Sequence, residues 1–294
     1  MPARSSAQWA ADRPGGARGC PDPAPDVEVL VPCFERPAAL AVTLSGLAAQ
    51  LEADFDVVLS DQSPTPVWEE PAVAGMIRLL RAQGRRVRCL RNLPRRGLAQ
   101  QRQHLLEASG ARLVLFLDSD VWLEPGTVSR LRTALDAHGC GFMGSAVQGL
   151  SFLGDRRPGE WESFEPWEGR VEPEAAPRDG PAHERWRLHS AANLAHLAAE
   201  TELGDAPFLV YRIAWVGGCV LYDRAKLLDS GGFGFWDTLP PEHAGEDVLA
   251  QWRMMPRWGG AAVLPSGAVH LEAPTTVEDR SVEATDLLAE ESEG

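Results

Sequence analysis

Leu113-Val114-Leu115-Phe116-Leu117-Asp118-Ser119-Asp120-Val121-Trp122 decides how the rest of the chain is read. Five large apolar residues in a row suit a strand buried on both faces, and the run stops at two carboxylates separated by one small residue. At the carboxyl end of a parallel strand the backbone leaves the sheet, so side chains there point into the crevice where open α/β folds bind ligands. Asp118 and Asp120 are therefore expected at a sheet rim. Hard carboxylate oxygens suit Mg2+ or Mn2+, usually held by one or two carboxylates together with substrate phosphates. The pair predicts a phosphorylated ligand. A plainer alternative stands beside it, in which Asp-Ser-Asp is only a polar turn before a helix that Pro125 opens.

Strands and helices alternate around this stretch. Val27–Val31 reads as a strand ending at Pro32, followed by a helix from about Pro37 to Leu51. Phe55–Ser60 is a second strand, Asp61–Pro66 a loop, Glu69–Gln83 a helix and Val87–Leu90 a third strand. A helix opened by Gly97 runs to Ser109 and leads into the Asp118 strand, the fourth. The alternation predicts a doubly wound, mostly parallel α/β sheet. Further on, the spacing predicts a helix from Pro125 to His138, a strand over Gly141–Val147, a helix over Leu188–Leu203 and a glycine-broken strand over Ile213–Tyr222. Between Leu150 and Arg185 the pattern dissolves into Pro, Gly and Glu with Trp161, Trp167 and Trp186, and loops that long are usually functional. Those tryptophans either stack on sugar faces or anchor the loop on the core.

Composition narrows the function. The 294 residues carry a net charge of −14, which argues against a nucleic-acid binder or a polybasic membrane-surface protein. Seven carboxylates between Glu278 and Glu293 read as a solvated tail over 275–294. Residues 1–26, spaced by Pro21, Pro23 and Pro25, read as a linker. Five cysteines without C-x-x-C spacing indicate neither a disulfide framework nor a zinc site. No stretch reaches the roughly 18 apolar residues of a membrane span, so a soluble, cytoplasmic protein is expected, with peripheral membrane contact open.

Several residues carry chemistry. Phe34, just past the first strand, could stack on a base, and Asp61, ending the second, could accept a base N–H, although a core Phe and a turn-forming Asp fit equally well. Arg102 shares a helical stripe with Leu98 and Leu105 and faces inward, where it either pairs with a buried carboxylate or clamps a phosphate. Glu246 and Asp247 open a helix. Successive helical residues diverge by about 100°, so one of them suits a general base and the other a binding group. His270, in the short strand Ala268–Glu272, reads as a surface histidine unless the Asp120 site lies close, in which case it is a candidate metal ligand.

The order of these pieces resembles glycosyltransferase family 2, the inverting GT-A-fold enzymes that use nucleotide-diphosphate sugars. Pro32-Cys33-Phe34-Glu35-Arg36 is similar to that family's P-T-Y-N-R, Ser60-Asp61-Gln62-Ser63 to its D-D-G-S, Gly97 through Arg102 to its G-x-A-x-A-R, and Asp118-Ser119-Asp120 to its D-x-D. Gly217-Gly218 and Gly231-Gly232-Phe233 match the acceptor-side glycines, and Glu246-Asp247 the E-D pair. The resemblance spans residues 27–272. It implies a GT-A domain over 27–274, a doubly wound sheet with a smaller mixed acceptor-side region, and an acceptor-side loop over 150–187. It further implies that Phe34, Glu35 and Asp61 hold the nucleoside, Arg102 the diphosphate and Asp118 the sugar or ribose, with Pro32, Ser119 and Gly218 also among the residues that bind the nucleotide sugar. Asp120, with His270, would hold Mn2+ or Mg2+, Asp247 would be the base and Glu246 would hold a sugar hydroxyl. UDP is the foremost nucleotide and the acceptor is a hydroxyl of unspecified type. Two other readings compete: a catalytically inactive GT-A binding module, and a haloacid-dehalogenase-like phosphatase. The phosphatase is disfavoured because three strands precede the D-x-D and Lys226 is the only lysine.

Overall fold

The computed structural model describes residues 25–50, 54–190, 194–204, 206–277 and 279–287. The linker expected at the N-terminus falls almost wholly outside these residues, as does the end of the acidic tail. Eight strands form the main sheet, and the first four expected ones are all present. They are β1 (Val27–Cys33), β2 (Asp56–Asp61), β3 (Val87–Arg91) and β4 (Leu113–Leu117), with helices α1 (Pro37–Ala48), α2 (Pro71–Ala82) and α3 (Leu98–Ala108) between them. Alternation along each strand sorts its side chains to opposite faces. Val27, Val29, Val31, Leu113, Leu115 and Leu117 join one apolar cluster with Leu40, Leu44, Val73 and Ile77 of α1 and α2. Leu30, Val58, Val114 and Phe116 point the other way, onto Ala99, Leu105 and Leu106 of α3. Each of these side chains is fully or nearly fully buried, so truncating one such as Leu115 to Ala costs about 2–5 kcal/mol.

After β4 the chain departs from expectation. Val121–Leu123 is not a lead-in to a helix but a short strand, β5, and α4 starts only at Thr127, running to His138. Then come β6 (Phe142–Gly144), β7 (Gln148–Gly149), α5 (Arg187–Ser190), α6 (Leu194–Glu200), β8 (Leu209–Tyr211), β9 (Cys219–Asp223), α7 (Arg224–Asp229), α8 (Glu246–Trp258), β10 (Gly260–Leu264) and β11 (Ala268–His270). The main sheet has the order β3-β2-β1-β4-β9-β6-β10-β8. β9 pairs antiparallel with both β4 and β6, and β8 antiparallel with β10. The expected strand over 213–222 thus shortens to 219–223, because Gly218 takes φ 77° and its carbonyl turns to accept the Asp118 N–H at 2.9 Å.

A second sheet, β5-β11-β7, sits beside the first. Its register sets His270 opposite Val121, and the Leu271 N–H donates to the Asp120 carbonyl at 2.8 Å. The segment from 150 to 186 is ordered by 3-10 turns over Leu150–Phe152, Pro158–Ser163 and Pro181–Trp186 and by a bridge between Pro166 and Tyr211. Its tryptophans act as anchors: Trp161 and Trp186 pack on one core cluster and Trp167 on the other, with the Arg212 guanidinium 3.5 Å above the Trp167 ring. The acidic tail also needs correction up to residue 287. Ala244 and Glu283 form a bridge, and Ala284 and Thr285 are buried. Small apolar and hydroxyl groups among the carboxylates give this stretch a face to bury, which its charge count conceals. Among the described residues no helix is long and apolar enough to cross a membrane.

Candidate active site

The order β2-β1-β4 reverses direction between β1 and β4, and in open α/β sheets the crevice outside the strand ends at such a point is where ligands bind. A cleft of about 250 Å³ lies there. Pro32, Cys33 and Phe34 line it from the end of β1, Gln62 from β2, and Asp118, Ser119 and Asp120 from β4. His270 comes from the small sheet, and Ala273, Thr275, Thr276 and Val277 form a strap across it.

Asp120 is almost completely buried; its Oδ2 accepts a hydrogen bond from Arg36 Nη1 at 2.6 Å, and His270 Nε2 lies 3.5 Å from the same oxygen. Burial, and then the neighbouring Asp118, push its carboxyl above the ordinary range, while Arg36 and His270 pull it back. The His270 Nδ1 accepts the Glu272 N–H at 2.9 Å, which leaves the proton of the neutral ring on Nε2, facing Asp120. Among the described residues no three His, Cys, Asp or Glu side chains are gathered closely enough to hold an ion by themselves. Asp118, Asp120 and His270 nevertheless line one cleft wall with donors of the kind that suit Mg2+ or Mn2+. Such an ion is usually held by one or two carboxylates together with substrate phosphates, so the residues fit it in that shared form. In this state His270 turns Nε2–H toward Asp120 without bonding it, and its Nε2 lone pair reaches a cation only after Nδ1 exchanges the Glu272 contact. The histidine left open in sequence does lie beside Asp120.

Arg102 resolves toward the ion-pair reading. It is buried, its Nη2 donates to Asp118 Oδ1 and its Nε to Glu246 Oε1, both at 3.0 Å, and its guanidinium lies over the Phe116 ring. Burial works against its charge, but Asp118, Glu246 and Asp247 together raise its pKa above the usual arginine value. It does not line the cleft; it ties the end of β4 to the start of α8. The two acidic residues diverge as the helical geometry requires: Glu246 is buried on Arg102, while Asp247 is half-buried, with its Oδ1 accepting the Val248 N–H. Neither lines the cleft proper.

The nucleoside-side residues separate. Phe34 lines the cleft, with the Arg95 guanidinium stacked 4.1 Å from its ring centre. Glu35 is exposed, at φ 50°, held by its N–H on Ser63 Oγ. Asp61 is wholly buried behind the wall, where it accepts from Ser63 N, Val67 N and Arg91 Nη1, so it shapes the loop whose Gln62 faces the cleft. Gly218 stays outside the cleft and positions Asp118 through its carbonyl. Sequence reasoning passed over Arg36, Arg95 and Arg280, three cations that line the cleft beside two aspartates. The pair Arg95-Arg96 before Gly97 was the available signal. It also passed over Gln101, whose Nε2 bonds the Cys33 and Ser60 carbonyls and clasps the ends of β1 and β2.

The glycosyl transferase family 2 model matches residues 28–181, a little over half the chain. The chain belongs to this family. Its fold is GT-A. Among solved structures, S. aureus TarS 1–349 superposes with a TM-score of 0.54 at 15% identity, covering 83% of this chain and 60% of that one. The same TarS fragment in complex with UDP-GlcNAc gives a TM-score of 0.51 at 16% identity, covering 85% and 61%. This family member thus spans about three-fifths of the length of those structures, and at such identities the likeness is one of fold. The sequence matches no curated protein.

Proposed function

We propose that the chain moves a sugar from a nucleotide diphosphate, UDP foremost, to an acceptor hydroxyl, with a divalent cation bound and with inversion at the anomeric carbon. The observation that carries this reading is the gathering of Asp118, Asp120, His270, Arg36, Arg95 and Arg280 around one cleft at the sheet's switch point. That TarS 1–349 forms complexes with UDP-GlcNAc and UDP on a like fold supports the choice of donor.

Asp120, assisted by Asp118 and by His270 once its ring is re-bonded, would hold Mn2+ or Mg2+, which when bound offsets charge on the departing diphosphate. Arg36, Arg95 and Arg280 add three further cations to the wall that phosphates would meet. Phe34 and Gln62 border the nucleoside end. Pro32 and Ser119 set the cleft wall, Gly218 fixes Asp118, and Asp61 and Glu35 hold the loops behind it. Asp247 would take the acceptor proton. Its place in the first turn of α8 favours the ionised carboxylate, and Glu246 through Arg102 fixes that helix start against Asp118. A base on the side away from the leaving group gives direct displacement, hence inversion.

Two measurements test this. Thermal shifts with UDP, GDP, dTDP and CDP, each with and without Mn2+, should single out one nucleotide; no shift with any of them removes the donor. Release of that nucleotide from its sugar conjugates should fall about 100-fold or more in Asp247→Asn, with nucleotide affinity within about threefold of wild type. A fully active Asp247→Asn variant removes it from the mechanism.

A further inference from the structure

We infer that Arg36 is an exchangeable counter-ion, holding Asp120 and the 273–277 strap together until a divalent cation takes its place on the carboxylate. The inference rests on the metal reading above and concerns how that site is loaded. Asp120 is 4% exposed, and a buried carboxylate without a partner is strongly unfavourable, so its ionised form needs a cation beside it. Arg36 supplies one. Its Nη1 sits 2.6 Å from Oδ2, and Oδ2 is the same oxygen that faces His270 Nε2. A divalent ion shared by Asp120 and His270 would meet the guanidinium at that oxygen, where like charges repel.

The second arm of the same guanidinium carries the consequence outward. Arg36 Nη2 donates to the carbonyl of Pro274, and Arg95 makes the parallel contact to the Thr276 carbonyl at 3.3 Å. Both tie the strap to the cleft. Arg36 stands at the N-cap of α1, three residues past the end of β1 and next to Glu35, whose N–H is anchored on Ser63 Oγ at 2.8 Å, so departure from Asp120 is a swing of the side chain with its root fixed. Once released, the guanidinium still lies in the cleft wall, where donor phosphates would bring the negative charge it has lost. Cation loading and strap loosening are then one event, because one planar group makes both contacts.

The test uses the full chain, Mn2+ as probe and three proteins: wild type, Arg36→Met and Asp120→Asn. Free Mn2+ is measured by electron paramagnetic resonance, with and without UDP, and hydrogen exchange is followed in peptides covering 273–277. Arg36→Met should bind Mn2+ about tenfold more tightly than wild type, and Asp120→Asn at least tenfold more weakly. In wild type Mn2+ should speed exchange in the strap; in Arg36→Met exchange should be fast with or without it. A folded Arg36→Met variant that binds Mn2+ no more tightly, or a strap whose exchange ignores Mn2+ in wild type, overturns the inference while leaving the metal site standing. Absence of Mn2+ binding in both wild type and Arg36→Met in the presence of UDP overturns the metal reading itself. Should Arg36→Met not fold, Arg36→Lys serves: one ammonium cannot span both acceptors, so strap exchange should rise while Mn2+ affinity stays within about threefold, and unchanged exchange refutes the coupling.

Discussion

Replacing Arg102 by Met keeps most of the side-chain volume and removes the charge, so the cost can be worked from what is left behind. Glu246 is 4% exposed and loses the Arg102 Nε at 3.0 Å. Breaking a buried pair by removing one partner typically costs about 3–5 kcal/mol, most of it the stranded charge. Asp118 also loses a partner at 3.0 Å, but its side chain is 35% exposed and water takes over, so it adds only about 0–1 kcal/mol. The sum is about 3–6 kcal/mol, which for a domain of this size lowers the unfolding temperature by roughly 6–12 °C. Removing the stranded charge as well, in Arg102→Met with Glu246→Gln, should recover about half of the loss, because the neutral amide is far less costly to bury.

Urea denaturation of the two variants against wild type measures this directly. If Arg102→Met lies within about 1 kcal/mol of wild type, or the double variant is no more stable than the single, then Arg102 is not the tie between β4 and α8. The same proteins separate the two functions open to this arginine. A phosphate clamp would lose nucleotide affinity with stability kept; a structural tie loses stability first.

His243 should make stability pH-dependent. Its Nδ1–H bonds the Pro240 carbonyl at 2.7 Å and its Nε2 accepts the Ala99 N–H at 3.1 Å at the start of α3, an acceptor that protonation abolishes. Burial lowers its pKa below the unfolded value of about 6.5, so its contribution is complete above that value and is lost as pH falls below it. Urea midpoints should drop between pH 7.5 and 5.5, and His243→Gln should flatten the slope; equal slopes exclude the residue. Gly97→Ala should destabilise by about 3 kcal/mol or more. Gly97 holds φ 91° and ψ −178°, a region essentially restricted to glycine, and an added Cβ would stand 2.4 Å from the Pro241 carbonyl oxygen. A thermal midpoint within about 2 °C of wild type contradicts that.

The half of the fold that could be read in sequence is the half made of local signals. Leu113–Leu117 is an unbroken apolar run, Val27–Val31 and Phe55–Ser60 are mainly apolar runs interrupted by Glu28 and Asp56, and the helices between them repeat at helical spacing, so each element announces itself without reference to any other. β5 and β8 are three residues long, too short for any period to show, while β6 and β11, expected within the longer runs Gly141–Val147 and Ala268–Glu272, form over only three residues each. β5 and β8 exist through partners distant in sequence: Val121–Leu123 is a strand because Ala268–His270 runs beside it. β9 was visible as an apolar run, but its antiparallel direction between two parallel strands is a property of topology.

The same division runs through the site. Asp118 and Asp120 sit at the end of a legible strand and so could be placed; Arg102 could be placed on the inner stripe of its helix, but two acceptors for it remained until Glu246 was seen. Asp61 was assigned to the cleft because its strand ends there, yet its carboxylate turns back to the Ser63 and Val67 amides and leaves Gln62 in front. Arg36 and the strap were beyond reach for a sharper reason. The strap is held through carbonyls of Pro274 and Thr276, and a carbonyl is the same in every residue, so nothing in the side-chain sequence marks those two positions. Arg36 and Pro274 are 238 positions apart. A contact between a long charged side chain and a distant backbone oxygen leaves no trace in composition or period, and it is such contacts that join the carboxylate at the strand end to the segment lying across the cleft.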